Sequence, residues 1–105
     1  GIYVDIISGE PLFCSFHKYD SGTGWPSFFD VIKKENISEH KDFKLGYERI
    51  EVKCKKSNSH LGHKFEDGPN NNPRFCINSA SLMFIPFEDL DEKGYGDLIY
   101  LFKEY

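Results

Sequence analysis

Three side chains able to do chemistry fall within seventeen positions of one another: His60 and His63 in SHLGH, and Cys76 in RFCINSAS. A histidine pair beside a cysteine suits three different jobs. All three residues could ligate a metal, because zinc draws on imidazole nitrogen and thiolate sulfur. The histidines could instead serve a nucleophilic thiol, since a neighbouring donor or positive charge makes a cysteine reactive. The third option is that Cys76 is a small core side chain, as cysteines often are, and the histidines are satisfied structural groups.

Structural zinc usually brings paired CxxC ligands, and the sequence has none; Cys54 opens CKKS, a CxxC whose second cysteine is replaced. A three-ligand zinc on His60, His63 and Cys76 stays open on residue types alone. The thiol reading accounts for more residues. In a strand, side chains alternate between faces, so Arg74, Cys76 and Asn78 share one face, a polar one that an inert core cysteine does not need. If HLGHKF and RFCIN lie on neighbouring strands, one or both histidines reach the sulfur of Cys76.

The elements that must hold these residues are read from composition and pattern. At 105 residues the chain encloses one core, so a single domain spanning 1–105 is expected. Sixteen per cent aromatic residues, ten of them Phe, against a single Met favour sheets over a helical bundle. The formal charge is −4 and the lysines are scattered, which speaks against a nucleic-acid footprint. No run approaches the roughly 20 apolar residues of a membrane span, so a soluble domain is expected. An odd count of three cysteines, Cys14, Cys54 and Cys76, fits a secreted disulfide framework poorly and makes the cytoplasm the expected compartment. The start at Gly1 without Met fits a processed form or a piece of a longer chain, including one fused to a partner reductase domain.

GIYVDII reads as a strand closed by SGEP, and LFCSF as a second. The stretch HKYDSGTGWPSFF has two glycines and a Pro after the only Trp, and reads as a loop presenting Trp25. DVIKKENI suggests a short helix. RIEVKC, within 43–54, alternates strongly, and LGHKF, RFCIN and SLMFIPF supply further strands around the turn-rich EDGPNNNPR. Leu98, Leu101, Phe102 and Tyr105 recur at helical spacing and predict an amphipathic tail helix packed on the sheet.

GIYVDIISGEPLF, SGTGWPSF, RIEV, SHLGHKFEDGP and RFCINSASLMFIP, in that order, resemble the type B methionine sulfoxide reductases, which reduce the R epimer of methionine sulfoxide. The likeness runs from Gly1 to about Pro86 and more weakly through GYGDLI. It implies a mainly β fold of two antiparallel sheets with a few short peripheral helices. It also implies Cys76 as nucleophile, with His60, His63 and Asn78 around the reacting oxygen. Trp25 would receive the S-methyl group, and strand alternation adds Arg74 to the expected substrate site. Expected partners are oxidised proteins carrying methionine-R-sulfoxide, with thioredoxin as reductant and the chain a monomer. A zinc-dependent or redox-sensing binding domain without turnover is the alternative on the same scaffold.

Two departures from the family pattern carry expectations. Many members hold structural zinc on four cysteines, and the corresponding positions here are Asp5, Ser8, Cys54 and Ser57, so no structural zinc and no other cofactor is expected. Thr23 stands where some relatives place a resolving cysteine. Cys14, just ahead of the Trp25 segment, is then favoured over Cys54 as resolving thiol, beside direct attack by an external thiol.

Overall fold

The computed structural model describes residues 1–103, which form two antiparallel sheets. The smaller has the order β2 (Pro11–Cys14), β1 (Ile2–Asp5), β9 (Leu82–Ile85). The larger runs β3 (Lys18–Tyr19), β4 (Ser27–Phe28), β8 (Arg74–Ile77), β7 (His60–Phe65), β6 (Arg49–Cys54), β5 (Ile37–Asp42). The mainly β, two-sheet expectation holds.

The main core fills the space between the sheets with Leu12, Phe13, Phe28, Val52, Leu61, Phe75 and Ile77. Phe13 from the small sheet stacks on Phe28 from the large one at 4.3 Å between ring centres. Such a pair adds about 0.5–1.5 kcal/mol beyond the area it buries. The outer face of the small sheet carries Ile2, Val4 and Ile85, which would face water without a cover. Leu90 and Leu98 from the tail supply it.

Several elements differ from the sequence expectation. DVIKKENI is no helix: it has only a 3₁₀ turn at Lys34–Asn36, and Ile37 already begins β5. So short a helix has little stability of its own. Here Val31 and Ile37 are drawn into the core, and the Asn36 amide donates to the Pro11 carbonyl at 2.8 Å. The tail also departs from the α-helical expectation, forming a 3₁₀ segment at Gly96–Phe102; Tyr105 lies outside the described residues. β1 stops at Asp5, leaving Ile6 and Ile7 exposed in a turn closed by Gly9 N–H donating to the Asp5 carbonyl at 2.8 Å. Within the supposed loop, Lys18–Tyr19 and Ser27–Phe28 pair as a short hairpin, with Trp25 in the connection between them.

Candidate active site

The cross-strand register places His63 directly opposite Cys76 on β7 and β8. On the other side of β8, Ser27 of β4 pairs with the same cysteine. Cys76 therefore sits in the middle of the large sheet, on the face turned away from the core residues Phe75 and Ile77.

Two residues three apart on a regular strand point to opposite faces. His60 and His63 nevertheless share one face, because β7 bulges. Gly62 pairs with Val52 and His60 with Lys53, so Leu61 has no opposite number on β6. The extra residue restores the phase and re-aims His60. Leu61 then buries its side chain in the core while the imidazole rings lie 5.4 Å apart. Gly62 is required at this crossing, since a Cβ there would collide with the carbonyl oxygen of Cys76.

Trp25 comes to the same place from the hairpin loop. The Ser27 hydroxyl donates to Ser21 Oγ at 2.9 Å and to the Trp25 carbonyl at 3.1 Å, and Trp25 N–H donates to Thr23 Oγ1 at 3.2 Å. Gly22 and Gly24 take the positive φ angles, 78° and 81°, that this tight loop needs. Trp25, His60, His63, Cys76 and Asn78 line one open cleft of about 320 Å³, with Arg49 and Phe65 completing the wall. Asn78 uses its side-chain oxygen to accept Ala80 N–H at 3.0 Å, leaving its amide N–H groups as the donors it can offer.

Burial pushes the Cys76 thiol up, and a charge and hydrogen bond from Arg74 only partly offset it. At neutral pH the resting sulfur is therefore a thiol. Arg74 shares the strand face of Cys76 and interacts with its sulfur, but does not line the cleft. Asp67 holds its guanidinium through two contacts, Nε at 2.8 Å and Nη2 at 3.3 Å, and it stacks over Phe65 at 4.3 Å.

Each histidine has its own carboxylate. His60 Nδ1 meets Glu51 Oε2 at 2.7 Å, and His63 Nε2 meets Asp42 Oδ2 at 2.8 Å. Burial acts to raise Glu51, but its hydrogen bond with His60 and nearby lysines leave it below its ordinary value. Asp42 is brought down to about 2 by His63 first and then by Lys44 N–H, against opposing desolvation, with Arg49 adding to the effect. Neither carboxylate, nor Arg49, nor Asp67 stands out in the sequence. The only available signal for Arg49 and Glu51 was the two-residue alternation of β6, which puts them on one face, and Asp42 had none.

The SelR domain, the methionine-R-sulfoxide reductase domain, matches this chain over residues 1–86. The chain belongs to the SelR family. The match ends at Pro86, just after β9, so both sheets and every residue of the cleft lie inside it. Within this SelR domain the four positions corresponding to the family's zinc ligands do not suit the metal. Asp5 is fully buried and already satisfied: Ser8 Oγ donates to it at 2.7 Å, Ser8 N–H at 3.0 Å and Ser59 Oγ at 3.0 Å. Ser57 donates onward to Ser59, and Cys54 Sγ is 3.7 Å from Ser8 Oγ. One sulfur among hydroxyls is a poor donor set for zinc, and no cluster of three or more His, Cys, Asp or Glu suited to a metal occurs among the described residues. Cys14 is not brought to the cleft. It is buried on β2 opposite Ile2, in the other sheet.

Proposed function

We propose that this SelR domain reduces protein-bound methionine-R-sulfoxide to methionine, with Cys76 as nucleophile. The observation that supports it best is the direct pairing of Cys76 with His63 in a cleft that also holds Trp25, His60 and Asn78. The Cys76 sulfur attacks the sulfoxide sulfur, and the oxygen passes to cysteine as its S–O bond to the substrate breaks. Starting from the thiol, the step needs no net proton: thiol plus sulfoxide gives sulfenic acid plus thioether. The thiol proton has only to reach the oxygen, which a histidine can carry. Trp25 offers an aromatic wall to the S-methyl group, a contact worth roughly 0.3–1.5 kcal/mol.

Recovery takes two thiols: the first displaces hydroxide from the sulfenic acid as water, and the second resolves the mixed disulfide. Burial of Cys14 and Cys54 favours an external dithiol of the thioredoxin kind over a route through Cys14, which is buried on β2 opposite Ile2. The reaction proceeds without a structural metal or other cofactor. No helix among the described residues is long and apolar enough to cross a membrane. An odd count of three cysteines favours a reducing compartment such as the cytoplasm, and the domain is proposed to work as a monomer.

A peptide carrying racemic methionine sulfoxide, given with excess dithiol, is expected to stop at about half conversion with only the S epimer left. Equal loss of both epimers contradicts the stereochemical reading. A single equivalent of product with no further turnover points to a sensor instead.

A further inference from the structure

The two imidazoles at the cleft are held by opposite nitrogens. His60 meets its carboxylate through Nδ1 and His63 through Nε2. An ionised carboxylate only accepts hydrogen bonds, so the nitrogen facing it carries the proton whether the ring is neutral or charged. Neutral His60 is then the Nδ1–H tautomer with Nε2 free. Neutral His63 is the Nε2–H tautomer with Nδ1 free.

The Asp42 carboxylate is itself immobilised. Its Oδ1 accepts Lys44 N–H at 2.9 Å, and its Oδ2 accepts Arg49 Nη2 at 3.2 Å as well as His63. Asp42 and Arg49 face each other at the turn end of the β5–β6 hairpin, and both are largely buried. Glu51 sits opposite His63 in the β6–β7 register but bonds His60, so the two carboxylates divide the two rings between them.

We propose that Asp42, braced by Arg49, is a positioning residue that fixes His63 as the Nε2–H tautomer and so makes Nδ1 the atom that exchanges the proton between the Cys76 thiol and the sulfoxide oxygen. Nδ1 takes the thiol proton as sulfur attacks and returns one to the departing oxygen, leaving His63 unchanged over the step. Glu51 sets His60 in the opposite sense, with Nε2 free to donate or accept at the substrate. The role in turnover rests on the reductase reading; the tautomers do not.

Imidazole ¹⁵N–¹H spectra of the wild-type domain above the histidine titration test it directly. The expected result is an Nε2–H pattern for His63 and an Nδ1–H pattern for His60. In Asp42→Asn, an amide N–H₂ must face either His63 or the Lys44 N–H, and the surviving oxygen carries no charge, so the Nε2–H preference is weakened. With folding checked by circular dichroism, kcat should fall roughly 10- to 100-fold with KM little changed, part of the about 10²–10⁴-fold that loss of the proton carrier costs. Wild-type His63 in the Nδ1–H form overturns the inference, as does an Asp42→Asn variant with undiminished kcat. Absence of any sulfoxide reduction by the wild type defeats the reductase reading instead, while the spectrum still decides the tautomers.

Discussion

Cys76→Ser is expected to lower methionine-R-sulfoxide reduction by at least about a thousandfold while leaving the fold intact. A serine hydroxyl is a far weaker nucleophile towards sulfur and cannot form the sulfenic acid that stores the oxygen. The substitution is close to isosteric, and Cys76 is only half-buried on the cleft face, so packing changes little. Circular dichroism and a thermal melt will separate loss of chemistry from loss of structure. Substantial turnover by the serine variant would remove Cys76 from the mechanism.

The second large effect concerns stability. Asp5→Ala is expected to destabilise the domain by about 2–4 kcal/mol, lowering Tm by roughly 10–20 °C. The carboxylate gathers Ser8 from the β1–β2 turn and Ser59 from the segment ahead of β7, so it ties the two sheets together. Removing it leaves the half-buried hydroxyls of Ser8 and Ser59 without that acceptor. Burial acts to raise the Asp5 carboxyl, yet the donors from Ser8 and Ser59, with Ser57 close by, bring it down to about 2. A folded value below the unfolded one means that its stabilisation is fully present above the unfolded value and is lost as the pH falls from about 4 through 2. That part is about 1–2 kcal/mol after allowance for solvent screening. Denaturant melts of wild type and Asp5→Asn should therefore differ most above pH 4 and converge towards pH 2. A constant difference across that range would show that charge on Asp5 contributes nothing.

Most of the site was legible because strand alternation and side-chain chemistry point the same way. Arg74, Cys76 and Asn78 alternate with Phe75 and Ile77, and the structure puts the polar set on one face and the apolar pair in the core. His60 was harder. Its spacing from His63 places the two on opposite faces of a regular strand, and only the bulge at Leu61 brings them together. A bulge is a register event between two strands, and no property of HLGH alone announces it.

Asp42 was illegible for a different reason. ISEHKD is an edge strand, exposed along its middle and charged, and lacks the apolar alternation that identifies a half-buried strand. The β5–β6 pairing then carries its last residue back beside Arg49 and on to His63. DVIKKENI misled through composition that suits a short helix, where contacts with the core and the Pro11 carbonyl decided otherwise.

The most direct measurement of the central claim is a single turnover without reductant. The reduced domain is mixed with one equivalent of a methionine-R-sulfoxide peptide and a sulfenic-acid-trapping diketone, then digested and read by mass spectrometry. One methionine should form per chain, with the trapped adduct on Cys76 and with Cys14 and Cys54 still reduced. Methionine formed at that stoichiometry while Cys76 stays an unmodified thiol would contradict the account.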